Sequence, residues 1–478
     1  MNGQELHVAM LPWFAFGHIS PFVQLSNKLS LHGIKISFLC PPSTIQRIRS
    51  SLHSPHLINI IPLTIPAVDG LPPGIETTDQ MTPHMAELIK KAVDSMKPQI
   101  AALLSSLRPH LILFDFGLNW IPSVAAPLQI KTLFFSVFSA LSTAYGTVPA
   151  RLSPPSHNPP TVDDLKLPPP GFPASTSTAR LSTHEARDLT YIFKRFDGPS
   201  IFERVGACME GCTGIVMKTC MEMEAAYVNF VKTQFRKPVL LAGPVVAGRP
   251  VGDLDRRWAD WLDKFPEKSV VYCSFGSETF LGDDQIKELV LALEMTGAPF
   301  LVALNFPSGE NSGDIAGHLP EGFQERVKDR GIVHVGWVQQ LHILAHVSVG
   351  CYVCHAGLSS ITEAVVNDCQ LVLVPQKGDQ FMNARLVAGD LKAGVEVDRD
   401  DDNGFFRRED LCEAIEMVMK KAAEEPGKTI RENHRKVREF LSDEETHERF
   451  TREFVEKMKE IAFGGGGGGN EDLKKVIS

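Results

Sequence analysis

The feature that most constrains this chain is a rhythm: short, almost wholly apolar runs separated by amphipathic stretches, repeated through two halves of the sequence. In the first half LHVAML (6–11), KISFLC (35–40), HLILFDF (110–116) and KTLFFSV (131–137) read as buried strands. Helices are expected over Pro21–His32, about Ser43–Ser51 and roughly Met81–Leu107. Strands without polar alternation are buried on both faces, as in a parallel sheet covered by helices on either side. The rhythm restarts in SVVYCSF (269–275), APFLVAL (298–304), GIVHVGW (331–337), VGCYVCH (349–355) and QLVLVP (370–375). Between the halves, Gly243–Asp255 (GPVVAGRPVGDLD) follows the apolar VLLA (239–242) and mixes Gly, Pro and charge, as a linker does. At 478 residues the chain is too long for one compact core. The prediction is an α/β protein with two Rossmann-like parallel-sheet domains facing a cleft.

The expected division is an N-terminal domain over 1–243, a linker over 244–256 and a C-terminal domain over 257–443. A charged helix follows over 444–463 and is expected to pack back on the N-terminal domain. The last stretch, 464–478, opens with six glycines and ends NEDLKKVIS, which reads as a disordered tail. Residues 149–182 are rich in Pro, Ser and Thr and read as an irregular excursion, of the kind that roofs a binding site.

A formal charge of -9 with no basic cluster excludes nucleic-acid binding, which needs Lys and Arg gathered on one surface. The opening MNGQELHVAMLPWFAFGHISPF has no basic segment leading into an apolar one, so it does not read as a signal peptide. No apolar run approaches the ~18 residues of a membrane span. Nine scattered cysteines fit reduced thiols, and a cytoplasmic, monomeric protein is expected. CYVCH (351–355) matches a haem-attachment pattern only formally, since it lies in a buried strand without an export signal. Asp253-Leu-Asp255 and Asp398-Arg-Asp400 read as solvated loop charge, so no metal is expected. No GxGxxG follows the first strand, which disfavours a dinucleotide enzyme.

The chemistry concentrates where VGCYVCH runs through a small-residue AGLSS turn into the helical ITEAVVN. Free N–H groups and the helix dipole make such a turn an anion site, with Ser359 and Ser360 adding hydroxyls and His355 at the strand end. Trp337 closes the preceding strand, where its indole could stack on a base or simply fill the core. Glu363 is placed for ribose hydroxyls, yet Ser360-x-x-Glu363 also spells a capping box. Asp379 and Gln380 follow the next strand at the edge where parallel sheets bind ligands.

Taken together, GWVQQLHILAHVSVGCYVCHAGLSSITEAVVNDCQLVLVPQKGDQ resembles the signature box of plant family-1 UDP-glycosyltransferases. From Trp337 to Gln380 it has that box's 44 residues, and the resemblance extends from the GHISP loop to the SFGS loop. The resemblance implies a GT-B fold and a UDP-sugar co-substrate with no further cofactor. It also implies that Trp337 stacks on uracil beside Val338, while Gln340 and Glu363 hold the ribose. His355, Gly357, Ser360 and Ser277 would meet the diphosphate, and Asp379 and Gln380 the donor sugar. The family's usual HCGWNS reads HAGLSS here, so Leu358 and Ser359 stand in place of Trp and Asn.

Catalysis needs a base for the acceptor hydroxyl. His18, just after the first strand, has the side chain for it, and a carboxylate on its second nitrogen would fix the tautomer. Asp115, ending an otherwise apolar strand, is the candidate partner, and the resemblance places the family's base and carboxylate on His18 and Asp115. A single in-line displacement then inverts the anomeric carbon. The opening segment, LFDFGLNWIP and the altered turn resemble the branch that adds a sugar to a flavonoid glycoside. Trp13, Phe16, Phe116, Trp120 and Phe138 are the aromatic candidates for the acceptor pocket. UDP-glucose and UDP-rhamnose lead UDP-xylose as donors. The alternatives are action on aglycones or terpenoid glycosides, and a non-catalytic UDP-sugar-binding protein.

Overall fold

A computed structural model of the chain describes residues 5–464 except 79–80, 82, 153–158, 174–178, 247, 249, 251, 307–314 and 422. It contains two parallel sheets. The first comprises β1 (His7–Leu11), β2 (Lys35–Cys40), β3 (Ile58–Pro62), β4 (Leu111–Phe114), β5 (Lys131–Ser136), β6 (Gly214–Met217) and β7 (Val239–Leu241). Its spatial order is β3-β2-β1-β4-β5-β6-β7. The second comprises β8 (Val270–Ser274), β9 (Phe300–Leu304), β10 (Gly331–Val335), β11 (Val349–Cys354), β12 (Gln370–Leu373) and β13 (Gly394–Glu396), in the order β10-β9-β8-β11-β12-β13. Each order reverses once, between β1 and β4 and between β8 and β11. A crevice opens at such a reversal, beyond the C-terminal ends of the strands, and ligands bind there.

The strands read from the apolar rhythm all form. Three others were not legible in it. β3 and β13 are partly exposed edges, and β6 is only four residues of GIVM, too short to stand out beside the helix before it.

Helix boundaries differ more. The first helix runs Phe16–Leu31, beginning five residues before the expected Pro21. Pro21, the sixth residue of the helix, removes one backbone bond without ending the element. The expected Met81–Leu107 helix is two, Pro83–Asp94 and Lys97–Leu107, with Pro98 seated in the first turn of the second, where its missing N–H costs nothing. In the 149–182 excursion, Val162–Lys166 is helical and carries a Thr161–Asp164 capping box. Arg151 ties this stretch down, donating to the carbonyls of Tyr145 at 2.7 Å and Leu167 at 2.7 Å. Residues 153–158 and 174–178 of that excursion, and the tail beyond Gly464, lie outside the described residues.

Each sheet is covered on both faces by apolar clusters. The Glu444–Phe463 helix places Phe454, Val455 and Met458 in the cluster beneath β1 and β2. Each such buried side chain contributes roughly 1.5–3 kcal/mol to that docking. Conversely, Phe381, Met382 and Leu386, just after the second sheet's β12, insert into the core of the first. Glu185, 1% exposed, bridges the halves by ion pairs to Arg385 at 2.7 Å and Arg399 at 2.5 Å. The two sheets are therefore held in one relative orientation by apolar as well as charged contacts.

Candidate active site

At the reversal point of the first sheet, β1 leads into the Phe16–Leu31 helix and β4 ends at Asp115. His18 sits in that helix's first turn, not in a preceding loop, so a rigid element aims its ring. Its Nδ1 lies 2.8 Å from Asp115 Oδ2. Asp115, fully buried, also accepts from the backbone N–H of Trp13 at 3.2 Å and of Phe116 at 2.7 Å. These bonds are why a carboxylate is tolerated at the end of LILF. Burial works against protonating His18, but the Asp115 carboxylate, by charge and by hydrogen bond, then Glu278 and Asp379, outweigh it. The imidazole pKa is thus raised above its ordinary 6.5. With Nδ1 engaged, Nε2 is the nitrogen left for chemistry.

His18 opens onto a cavity of about 860 Å³ whose opposite wall is the reversal point of the second sheet. Trp337, Val338, Gln340, His355, Gly357, Ser359, Ser360, Glu363, Asp379, Gln380 and Ser277 all line it. Trp337 is not core: Gly336, with φ of 105°, turns the chain outward and leaves the indole 69% exposed. Gln340 Nε2 donates to Glu363 Oε2 at 2.9 Å and Ser360 Oγ at 3.2 Å, while its Oε1 accepts from Tyr352 at 3.0 Å. The Ser360–Glu363 capping box does not form, because the helix is Leu358–Val366 with Gly357 as its N-cap and no side-chain cap. Ser360 is already inside the helix, and Glu363 is free to bind Gln340. Burial, the main influence, raises the Glu363 pKa.

The turn between β11 and this helix is strained and tight. Ala356 takes a φ of 64°, a conformation that costs a non-glycine residue about 1 kcal/mol or more. The His355 ring is wedged between two glycines. A Cβ on Gly357 would stand 2.7 Å from its Nε2, and one on Gly276 (φ 76°) 2.9 Å from its Cε1. Burial and then Lys377 lower the His355 pKa to about 4, so the ring is neutral, and its Nδ1 is buried with no hydrogen-bond partner. A neutral imidazole N–H and uncapped helix N–H groups together suit an anionic diphosphate.

Asp379 Oδ2 accepts from Asn383 at 2.9 Å, and burial raises the Asp379 pKa. Gln380 is only 7% exposed, and its Oε1 accepts from the N–H groups of Gln376 at 2.9 Å and Lys377 at 3.1 Å. It shapes its own loop as much as it faces the cleft.

The aromatic candidates divide. Phe16 and Phe138 line the cavity, Phe16 under the Arg47 guanidinium and Phe138 with its ring centroid 5.4 Å from that of His18. Phe116 supports His18 from behind at 5.3 Å. Trp13 and Trp120 are core: Trp13 packs over Gly117, and the Trp120 Nε1–H donates to Asp94 at 3.1 Å. Neither lines the cavity. Asp255 and Asp400 serve locally, capping a helix through Arg257 N at 2.8 Å and closing a turn through Asn403 N at 3.0 Å. Lys28, Arg47, Glu278 and Lys377 also line the cleft, and the sequence reading missed them. It missed Lys218 too, which is buried behind the cleft and donates to the cleft-lining Ser359 at 2.9 Å, although a lysine directly after GIVM stands at a strand end just as Asp115 does.

Two facing parallel-sheet domains with opposed reversal points make up the GT-B architecture. The family model described as "UDP-glucoronosyl and UDP-glucosyl transferase" matches residues 121–428. Anthocyanidin-3-O-glucoside rhamnosyltransferase of Petunia hybrida is 54% identical over 463 residues, covering 96% of this chain and 98% of its own. Anthocyanidin 3-O-glucoside 2''-O-glucosyltransferase of Ipomoea purpurea is 40% identical over 457 residues, covering 95% and 98%. The crystal structure of Arabidopsis thaliana UGT89C1 complexed with UDP-L-rhamnose has a TM-score of 0.72 at 25% identity, covering 96% of this chain and 100% of that one. The chain belongs to the UDP-glycosyltransferase family and is a UDP-sugar-dependent enzyme. No described helix is long and apolar enough to cross a membrane, and all nine cysteines are free.

Proposed function

We propose that this enzyme transfers a sugar from a UDP-sugar to a hydroxyl of the sugar already carried by a flavonoid 3-O-glycoside, inverting the anomeric carbon without a metal. His18 Nε2 takes the acceptor proton as the acceptor oxygen bonds to C1 of the donor. The bond from C1 to the diphosphate breaks, and UDP leaves with that electron pair. Asp115 holds Nδ1–H and stabilises the imidazolium that forms. His355, Ser277, Ser360 and the N–H groups beginning the Leu358–Val366 helix receive the charge growing on the leaving diphosphate. Trp337 stacks on the uracil, Gln340 and Glu363 hold the ribose, and Asp379 and Gln380 hold the donor sugar. Phe16 and Phe138 offer apolar surface to a flat acceptor.

The observation that carries this reading is the 2.8 Å His18–Asp115 pair at one reversal point, facing His355, whose Nδ1 has no hydrogen-bond partner, and the uncapped helix start at the other. The named relatives support a flavonoid glycoside as acceptor. The 54% identical rhamnosyltransferase favours UDP-rhamnose as donor, with UDP-glucose second.

The test is a panel of flavonoid aglycones, flavonoid monoglycosides and terpenoid glycosides, each offered UDP-rhamnose, UDP-glucose and UDP-xylose, with products read by mass spectrometry. A disaccharide-bearing flavonoid is expected, and EDTA is expected to leave the rate unchanged. His18→Ala is expected to lower kcat by about 10²–10⁴ with UDP affinity preserved. Full activity in that variant would sink the mechanism.

A further inference from the structure

Lys218 follows β6 at the C-terminal edge of the N-terminal sheet and is only 4% exposed. A buried ammonium is costly unless something holds it. Its Nζ donates to the Ser359 Oγ at 2.9 Å. That hydroxyl belongs to the other domain, in the first turn of the Leu358–Val366 helix, and it lines the cleft. The contact therefore joins the two sides of the site at the helix start that receives the diphosphate in the function proposed above.

We infer that Lys218 is a positioning residue of the donor site, holding Ser359 across the cleft and adding positive charge to the helix start where the diphosphate sits. This rests on the proposed function. The ammonium occupies one lone pair of Ser359, so the hydroxyl proton must be given elsewhere, and the open direction is the cleft. Accepting from a cation also makes that O–H a stronger donor. In this chain's HAGLSS turn, Ser359 is thus tied to the opposite domain through Lys218.

The charged groups around Lys218 are Glu363 and Asp379 on the C-terminal domain and Lys28 on the Phe16–Leu31 helix. Burial, with Lys28, lowers its pKa to about 8, against the pull of the two carboxylates. The ammonium is thus present at neutral pH and lost on mild alkalinisation. Arrival of the diphosphate adds negative charge and strengthens the protonated form.

The experiment compares wild type, Lys218→Met, Lys218→Arg, Ser359→Ala and the Lys218→Met/Ser359→Ala double variant. Calorimetry with UDP is combined with steady-state kinetics from pH 6 to 10. Lys218→Met should weaken UDP binding and raise the donor KM by roughly tenfold to a hundredfold, the range of a hydrogen bond to a charged group. The acceptor KM should stay unchanged, and Lys218→Arg should recover most of the loss. Adding Lys218→Met to Ser359→Ala should cost much less than in wild type. Wild-type UDP affinity should fall as pH rises through about 8, and that limb should vanish in Lys218→Met. A Lys218→Met enzyme with wild-type UDP affinity and pH dependence would overturn the inference while leaving the proposed function standing. So would a loss that appears only as a lowered melting temperature and is not rescued by Lys218→Arg. Failure of the wild-type protein to bind UDP would overturn both.

Discussion

Asp115→Asn isolates what the carboxylate does for His18 with almost no change of shape. In the native protein Asp115 Oδ2 accepts from His18 Nδ1, and the two oxygens also take the Trp13 and Phe116 N–H groups. The amide keeps one acceptor. With its oxygen kept on Phe116 N, at 2.7 Å the shorter of the backbone bonds, the NH₂ faces His18 and the Trp13 N–H loses its acceptor. An NH₂ group donates, so His18 Nδ1 must accept and the ring proton moves to Nε2, the atom that has to take the acceptor's proton. The imidazole remains in place as the wrong tautomer. Loss of general-base assistance lowers kcat by about 10²–10⁴, or about 3–5 kcal/mol at 1.36 kcal/mol per decade. The assay is kcat by product chromatography, with UDP affinity by calorimetry as a control that should stay within about twofold. The pH profile gives a second reading. The base acts when neutral, so wild-type activity falls as pH drops through a His18 pKa held above 6.5. Removing the carboxylate moves the acid limb of whatever activity remains to lower pH. Stability runs the other way: a raised folded pKa contributes stability fully below 6.5 and loses it as pH rises through the folded value. An Asp115→Asn enzyme within tenfold of wild-type kcat, with an unmoved acid limb, would refute the assigned roles.

Trp337→Ala should weaken UDP binding roughly fivefold to 150-fold, the equivalent of about 1–3 kcal/mol of base stacking. The indole is 69% exposed, so the melting temperature should not change; a large drop would mean that it is structural after all. His434, fully buried between the Cys369 carbonyl at 2.9 Å and the Gln370 amide at 3.2 Å, is held by burial at a pKa of about 4. A depressed pKa favours the neutral ring, so its contribution is complete above 6.5 and lost as pH falls toward 4. That loss is on the order of 3 kcal/mol. Urea unfolding at pH 7 and pH 4.5 should show a smaller drop in a His434→Gln variant, and an equal drop would exclude His434 as a source of acid sensitivity.

Much of this protein was legible in one dimension because its determinants are local. LHVAML, HLILFDF and VGCYVCH are apolar on both strand faces, as the strands of a doubly covered parallel sheet are. One wall of the cleft is mostly a contiguous stretch, Trp337–Gln380, in which strand, turn and helix bring their own side chains together. Asp115 was conspicuous because a carboxylate ending a buried strand needs partners.

What the sequence left open depended on elements far apart in the chain. Asp115 was named as the partner of His18 from its residue type and the resemblance, but the 2.8 Å contact itself required β1 and β4 to be neighbours, which is a matter of strand order. Ser360–Glu363 spelled a capping box until the helix began at Leu358 and Glu363 turned to Gln340. Trp13 and Trp120 had the same aromatic credentials as Phe16 and Phe138, and only packing sent the first pair into the core and the second to the cleft. Lys218 reaches Ser359 across 141 positions of sequence, from a strand too short to announce itself. The alternation of apolar and amphipathic segments determined two sheets, because burial is written in local composition. Which side chains meet across the cleft was decided by how the two sheets dock, through contacts such as Glu185 with Arg385 and Arg399, whose partners lie some two hundred residues apart.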